Sequence, residues 1–263
     1  MDDWRSYDGV AETYERVHAA RFAEAARDLV ALLELGDGQT VLDVGTGTGA
    51  GAAQIADAGA RVVGVDRSLG MLAVGHRVRP SIPLAAGEVI DLPFRNRAFD
   101  AVVGNFVLAH FVKVETALYD VVRVLVPGGG VGFSAWADGK DAFSDTWLEL
   151  VESVVPREML APAYGAAAPG HDRFQQPAAI EEALRDAGFR HVRTERRRYQ
   201  WGYARDDLVE GLGTWTVGRF VRNMLGENGW ASLMERARAT FADRFPDPLN
   251  DFRDVILAVG RLP

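Results

Sequence analysis

A glycine-rich segment is the feature of this sequence with the clearest chemical potential. Gly45, Gly47 and Gly49 follow a short apolar run, Thr40–Val44, and precede an alanine-rich stretch. Glycines at a strand-to-helix turn let a ligand approach the main chain closely, and the helix behind them presents free N–H donors. Asp66 ends the next β-branched run, where a carboxylate can accept both hydroxyls of a ribose. The spacing therefore predicts a site for a nucleoside-containing ligand.

The same glycines are compatible with a second kind of ligand. Gly45, Gly47 and Ala50 also satisfy the dinucleotide-binding fingerprint, which would make the chain a NAD(P)-dependent oxidoreductase. Asp43, two residues before the first glycine, would repel a pyrophosphate and attract an ammonium or sulfonium group. Alternatively, Asp43 is a structural carboxylate that caps nearby N–H groups.

Histidine is the residue type best suited to act as a general base near neutral pH. The sequence contains five: His18, His76, His110, His171 and His191. His110 follows the fourth predicted strand closely, which makes it the best-placed candidate for a catalytic base; packing or helix capping is the alternative. His18 and His171 are secondary candidates, and His76 and His191 are expected on the surface. No histidines pair with acids at metal-ligand spacing, so no metal site is predicted.

Alternating strand and helix patterns fill the first two thirds of the chain. The strands that we predict cover residues 40–44, 61–65, 82–86, 99–104, 131–136, 189–197 and 255–259. Nearly continuous apolar strands separated by helices are typical of an α/β fold with a parallel sheet covered on both faces. We predict a Rossmann-like, doubly wound, mostly parallel seven-stranded sheet with helical lid insertions.

The whole chain, residues 1–263, is expected to form one domain. Its predicted parts are an N-terminal helical cap (1–35), a cofactor-binding core (36–136), two lid insertions (138–176 and 200–250) and two segments that complete the sheet (177–199 and 251–263). The lids are expected over the carboxyl edge of the sheet, where open α/β folds bind ligands.

Composition narrows the possible partners. The chain has 29 basic and 37 acidic residues, a net charge of −8 and no cysteine. This charge disfavours nucleic-acid binding, and the absence of cysteine excludes disulfides and thiol chemistry. No apolar run is long enough for a membrane helix, and the acidic start differs from a signal peptide. A cytoplasmic protein acting on a small molecule is the expectation.

Aromatic side chains are concentrated in the predicted lids. Five of the six tryptophans lie at or beyond the end of the fifth predicted strand: Trp136, Trp147, Trp201, Trp215 and Trp230. If they face a cavity, the substrate is apolar or aromatic. Alternatively, most of them form the core of the lid helices.

Five motifs in order make the chain similar to class I S-adenosylmethionine-dependent methyltransferases, in particular to the ubiquinone and menaquinone biosynthesis subgroup. The segments that carry the resemblance are Asp43-Val44-Gly45-Thr46-Gly47-Thr48-Gly49, Gly64-Val65-Asp66-Arg67-Ser68 with Met71-Leu72, Gly87-Glu88-Val89-Ile90-Asp91-Leu92-Pro93-Phe94, Phe99 to Val103 with Asn105 to Leu108, and Leu125-Val126-Pro127-Gly128-Gly129.

The resemblance implies S-adenosylmethionine as the cofactor and assigns roles to individual residues. By it, Asp66 holds the ribose, Glu88 the adenine amino group, and the main chain at Val89 the adenine ring. Asn105 is placed near the sulfonium, and Tyr14 reaches the cofactor carboxylate or simply packs on the sheet. Two departures, Glu for the usual Asp at 88 and Val for Ala at 89, put the adenine contacts in doubt. The further cofactor-binding residues implied are Asp43, Gly45, Thr46, Gly47, Gly49, Arg67 and Met71.

The resemblance predicts an enzyme that transfers a methyl group to an oxygen, nitrogen or carbon nucleophile of a small, apolar or aromatic metabolite. Two alternatives stay open: a methyltransferase-fold protein with a non-methylating role, such as cyclisation or regulation, and the NAD(P)-dependent oxidoreductase. The sequence leaves the acceptor, the methylated atom and the oligomeric state undetermined.

Overall fold

The architecture is that of a seven-stranded sheet flanked by helices. The computed structural model describes residues 3–139 and 141–263. The strands are β1 (Thr40–Val44), β2 (Arg61–Asp66), β3 (Leu84–Ala86), β4 (Phe99–Asn105), β5 (Leu125–Trp136), β6 (Arg190–Tyr203) and β7 (Leu249–Arg261). The helices are α1 (Ala11–Leu33), α2 (Ala50–Asp57), α3 (Leu69–Val78), α4 (Val114–Val124), α5 (Ala142–Glu152), α6 (Leu160–Ala167), α7 (Pro177–Asp186), α8 (Arg205–Leu212) and α9 (Thr216–Arg244).

The sheet order is β3-β2-β1-β4-β5-β7-β6. Strands β1 to β5 run parallel to one another, whereas β7 runs antiparallel to both β5 and β6. The predicted Rossmann-like, mostly parallel, seven-stranded fold is confirmed.

Alternate residues of the central strands enter two separate hydrophobic cores. Val41 and Val103 belong to the core beneath α1, whereas Leu42 and Val102 belong to the core beneath α4 and α7. All four are buried, because successive side chains of a strand point to opposite faces. Burial on both faces accounts for the nearly unbroken apolar runs of these strands.

The strand order reverses between β1 and β4. Chain segments that leave these two strands diverge to opposite sides, which opens a crevice at their carboxyl ends. Asp66 at the end of β2 and Asn105 at the end of β4 border the same edge, as the register of β2, β1 and β4 requires. The predicted site residues are therefore collected at one edge of the sheet.

The last two strands are longer than predicted, so the lid boundary at 200–250 is wrong at both ends. The β6–β7 pairing runs from Arg190 opposite Arg261 to Tyr203 opposite Leu249. Alternate residues Tyr199, Trp201 and Tyr203 turn inward and are half-buried or buried. In the sequence, the arginine run and Gly202 hide this alternation of inward and outward side chains. β6 extends to Tyr203 because β7, which is distant in sequence, pairs with it.

Helical insertions complete the molecule. Helices α5 and α6 lie between β5 and α7, and α8 and α9 lie between β6 and β7. The α9 segment is interrupted at Gly226, whose φ of 66° is not helical. Buried side chains of these helices, including Trp147 and Phe241, share one core with the sheet. Within the described ranges, no helix combines the length and apolarity needed to cross a bilayer.

Gly104 provides a test of this packing. A Cβ at this position would overlap the ring of Phe133, which is fully buried. We expect Gly104→Ala to lower the free energy of unfolding by about 1–3 kcal/mol, because a packed core cannot admit an extra methyl group. Gly165→Ala is the matched control, since the residue is helical and a Cβ added there would meet nothing within 4 Å. Urea unfolding of both variants measures the difference, and equal stabilities would contradict the packing.

Candidate functional site

A cavity of about 660 Å³ lies at the carboxyl edge of the sheet, between the strand ends, the first half of α1 and the helical insertions. Ten of the thirteen predicted site residues line it: Tyr14, Gly45, Gly47, Asp66, Arg67, Met71, Glu88, Val89, Asn105 and His110. The cavity volume lies in the range typical of small-molecule sites.

The glycine loop after β1 forms one wall of this cavity. Gly45 has a φ of 67°, a conformation that side chains rarely adopt, and a Cβ there would overlap Val107. The N–H groups of Gly45 and Thr46 donate to the Val65 carbonyl at 2.8 and 3.1 Å. The loop is therefore bonded to the neighbouring strand β2 through its own main chain.

Asp66 fixes the same loop from the other side. Its Oδ2 accepts a hydrogen bond from the Gly47 N–H at 2.8 Å, and its Oδ1 accepts one from the Ser68 N–H at 2.8 Å. The side chain is half-buried in the cavity wall, and burial raises the pKa of its carboxyl group. Two of its lone pairs are occupied by the main chain, which leaves others for a ligand.

Three predicted residues, Asp43, Thr46 and Gly49, lie outside the cavity lining. Asp43 is 1% exposed beneath the loop, where its Oδ2 accepts a hydrogen bond from the Thr46 hydroxyl at 2.7 Å. Its Oδ1 has no partner among the described residues. Gly49 is the residue before α2, with a φ of 87°. For Asp43, this geometry supports the alternative of a structural carboxylate.

Glu88 and Val89 occupy the segment after β3. Glu88 is exposed, and its main chain forms an isolated bridge with Asp91, whose N–H donates to the Glu88 carbonyl at 3.1 Å. Val89 is half-buried against the core beneath α4. Both residues border the cavity, so the segment presents a carboxylate and a main-chain edge to it.

Asn105 is bonded at both ends of its side chain. Its Oδ1 accepts a hydrogen bond from the Ser134 hydroxyl at 2.6 Å, and its Nδ2 donates to the Phe22 carbonyl at 2.9 Å. The amide thus connects β4, β5 and α1. These bonds hold the chain segments around the cavity. They also occupy both polar atoms of the Asn105 amide, which the resemblance placed near the sulfonium.

Tyr14 and its neighbours form an aromatic series on the α1 side of the cavity. The Tyr14 ring is in edge contact with Tyr7 at 5.9 Å and with His18 at 5.7 Å, and it stacks on Phe22 at 5.4 Å. Burial raises the pKa of the Tyr14 hydroxyl well above its usual value. Tyr14 therefore stays protonated and can donate a hydrogen bond.

His110 lies in the turn after β4, held by an inserted segment. Its Nδ1 is 2.9 Å from the Ala167 carbonyl at the end of α6. A carbonyl only accepts, so Nδ1 carries the proton and Nε2 has a free lone pair. No hydrogen bond joins Nε2 to the described residues, and burial lowers the pKa of His110 to about 4. The ring is neutral at physiological pH, with its proton on Nδ1.

The other histidines divide as predicted into cavity and surface residues. His18 and His171 line the cavity, whereas His76 and His191 are exposed. His18 is buried, with Nε2 3.1 Å from the Thr214 hydroxyl, and burial lowers its pKa to about 3. Among the described residues, no group of three or more acidic or histidine side chains is placed to hold a metal ion.

Arg21 and Phe22 line the cavity but were not singled out from the sequence, and Phe106 was quoted only as part of the fourth motif. The residues on α1 follow a recognisable pattern. Tyr14, His18, Arg21 and Phe22 recur at the spacing of one helix face, whose other residues are small or aliphatic. For Phe106 the motif gave no role, because the orientation of its ring depends on contacts with distant segments.

Comparison with known proteins agrees with this geometry. A family model described as a methyltransferase domain matches residues 42–133. A demethylmenaquinone methyltransferase of Paenarthrobacter aurescens is 40% identical over 127 residues, which are 47% of this chain and half of that protein. The demethylmenaquinone methyltransferase of Streptomyces avermitilis is 31% identical over 196 residues, covering 71% of this chain and 85% of that one.

Among solved structures, phosphoethanolamine N-methyltransferase 2 of Haemonchus contortus, in complex with phosphomonomethylethanolamine and S-adenosylhomocysteine, superposes with a TM-score of 0.61 at 18% identity. The match covers all of this chain and 61% of that chain. This likeness concerns the fold, whereas the Streptomyces relative extends over most of both sequences. With the sheet order and the glycine loop, these similarities show that the chain belongs to the class I S-adenosylmethionine-dependent methyltransferases.

Proposed function

We propose that this protein transfers a methyl group from S-adenosylmethionine to an oxygen, nitrogen or carbon nucleophile of a small, apolar or aromatic acceptor. The proposal rests on the cavity at the carboxyl edge of the sheet, whose two walls carry different kinds of residues. The glycine loop and Asp66 form the first wall, and aromatic side chains with His110 form the second. A small acceptor, rather than a nucleic acid, agrees with the net charge of −8.

The residues of the first wall fit the cofactor. S-adenosylmethionine supplies a methyl group activated by a positively charged sulfur. Asp66 would accept hydrogen bonds from the ribose through its remaining lone pairs. Gly45 and Gly47 would border the methionine part, and Glu88 the adenine amino group. These anionic and uncharged groups suit a ligand that carries positive charge.

The loop geometry disfavours a dinucleotide. A pyrophosphate site needs free N–H donors at the glycine turn. Here the N–H groups of Gly45, Thr46 and Gly47 already donate to Val65 and Asp66. Asp43 adds a buried carboxyl group beneath the same turn. These contacts argue against the NAD(P)-dependent alternative.

The second wall suits an acceptor that has a flat apolar surface and a group that can lose a proton. Phe22, Phe106, Trp136 and Trp215 line this part of the cavity, and rings of this kind offer large contact areas at small entropic cost. We propose that the inserted helices act as lids that exclude water while the acceptor is aligned for displacement.

His110 is proposed as the general base for a hydroxyl or amine acceptor. Its free Nε2 can accept the proton that the nucleophile loses, and the Ala167 carbonyl keeps the ring in that tautomer. Because burial lowers its pKa to about 4, His110 is unprotonated throughout the neutral range and is a weaker base than an ordinary histidine.

Transfer of label from methyl-labelled S-adenosylmethionine to a panel of acceptors tests the function. The panel should contain phenols, amines, carbon acids and demethylmenaquinone, the compound for which the curated relatives are named. Labelled product supports the proposal. Tight binding of S-adenosylhomocysteine without transfer to any acceptor would favour the non-methylating alternative.

Asp66→Ala tests the placement of the ribose. We expect S-adenosylhomocysteine to bind more weakly by about 1–3 kcal/mol, because a charged hydrogen-bond acceptor is lost. Isothermal titration measures the affinity, and thermal unfolding checks that the variant is folded. The control is Asp57→Ala, an exposed carboxylate at the end of α2. Unchanged affinity of Asp66→Ala would refute the assignment.

His110→Gln tests the base. For a hydroxyl acceptor we expect kcat to fall about 10²–10⁴-fold, the usual contribution of general base catalysis, with little change in KM for the cofactor. His76→Gln, at an exposed position on α3, should retain full activity. Turnover at the wild-type level in His110→Gln removes His110 from the mechanism.

Asp43→Asn tests the buried carboxyl group. Burial raises the pKa of Asp43 to about 7, so between about pH 4 and 7 the folded protein keeps a proton that the unfolded chain loses. Stability of the cofactor-free protein should therefore fall as pH rises through this window. In Asp43→Asn the decrease in the free energy of unfolding over this pH range should be smaller by on the order of 1–4 kcal/mol. Urea unfolding from pH 4 to 7.5 measures this difference. If the free energy of unfolding depends on pH in the same way in wild type and Asp43→Asn, the raised pKa of Asp43 is contradicted. The control Asp57→Asn should show the same pH dependence as wild type.

A further inference from the structure

Phe106 is held in a backbone conformation that large side chains avoid. Its φ is 55°, in the left-handed region where a bulky residue is a genuine outlier. Residues held in this way persist only when the surrounding structure enforces them, and they cluster at functional sites. Phe106 directly follows β4 and lines the cavity.

A relay of hydrogen bonds enforces this conformation. The Phe106 N–H donates to the Ser134 hydroxyl oxygen at 2.9 Å, and the Ser134 hydroxyl donates to Asn105 Oδ1 at 2.6 Å. Asn105 Nδ2 in turn donates to the Phe22 carbonyl on α1 at 2.9 Å. Ser134 is fully buried and lies opposite Asn105 in the β4–β5 register, so its position is set by the sheet itself.

The strained backbone places the Phe106 ring within an aromatic wall. The ring stacks on Trp136 with centroids 4.3 Å apart and planes at 30°, and it meets Phe22 at 5.0 Å. All three side chains are only half-buried, and all three line the cavity. The Arg21 guanidinium lies 4.6 Å from the Trp136 ring, which anchors this wall to α1. The cavity therefore exposes aromatic surface that nothing in the described chain covers completely.

We propose that Phe106 is a specificity-determining residue, whose ring forms with Phe22 and Trp136 the surface on which a planar aromatic acceptor stacks. Ser134 and Asn105 are positioning residues, because they act through the Phe106 backbone. This inference rests on the proposed function and narrows its acceptor to planar aromatic compounds. An acceptor that needed only apolar contact could be served by aliphatic side chains in an unstrained backbone.

A pair of probes with the same carbon skeleton and hydroxyl group tests the inference. 2-Naphthol is planar and aromatic, whereas decahydro-2-naphthol is puckered and has no π system. Their affinities are measured by calorimetry in the presence of saturating S-adenosylhomocysteine. We expect wild type to bind 2-naphthol several-fold more tightly, within the range of about 2–12-fold that corresponds to one aromatic pair.

Substitutions should change this preference and leave cofactor binding intact. In Phe106→Leu the ratio of the two affinities should approach one, and in Phe106→Tyr it should persist. Ser134→Ala should lower the ratio as well, although the ring itself is still present. The control is Phe94→Leu, since Phe94 packs edge-on against Phe99 at 5.0 Å and does not belong to the cavity lining; it should keep the wild-type ratio.

The results separate two kinds of failure. If S-adenosylhomocysteine does not bind to wild type, the proposed function fails. If it binds, but wild type shows no preference for 2-naphthol, or binds neither probe, or Phe106→Leu keeps the preference, the role of Phe106 is overturned. Loss of the preference in Phe106→Leu and Ser134→Ala, with unchanged cofactor affinity and cooperative thermal unfolding, supports it.

Discussion

The carboxylate of Asp66 is the interaction on which the site depends. It accepts one hydrogen bond from the glycine loop, at Gly47, and another from the turn that begins α3, at Ser68. Two loops from neighbouring strands are thereby fixed to a single side chain at the edge of the sheet. A charged acceptor makes stronger hydrogen bonds than a neutral one, which is how a glycine-rich segment keeps a defined shape. The same carboxylate also lines the cavity.

The opposite wall depends on polar groups buried along α1. His18 approaches the Thr214 hydroxyl between α8 and α9, and Arg21 donates to the Tyr203 hydroxyl at the end of β6 at 2.8 Å. Both side chains are almost fully buried, and buried polar groups are costly unless they find partners. These contacts therefore favour one arrangement of the insertions over α1. Aliphatic residues in the same places would pack, but they would not select this arrangement.

The two walls differ in the side chains that line them. The carboxyl groups of Asp66 and Glu88 lie on the side of the glycine loop. The opposite side has His110 in its neutral form, a set of half-buried rings, and the charged groups of Arg21 and Arg253. Aromatic and charged groups are adjacent on this side, since the guanidinium of Arg253 lies 5.7 Å from the Trp215 ring.

Local patterns in the sequence were sufficient to predict the strands along the chain, the glycine loop and the position of Asp66 after the second strand, because strand ends, left-handed glycines and helix starts are specified by neighbouring residues. Only the tertiary structure decided that Asp43 lies beneath the loop, that Asn105 is bonded to α1, that β6 and β7 extend to Tyr203 and Leu249, and that Phe106 turns its ring onto Trp136. Each of these outcomes depends on a partner that is remote in sequence. The free energy that decides them comes from pairing and burial between distant segments, and no local pattern records it.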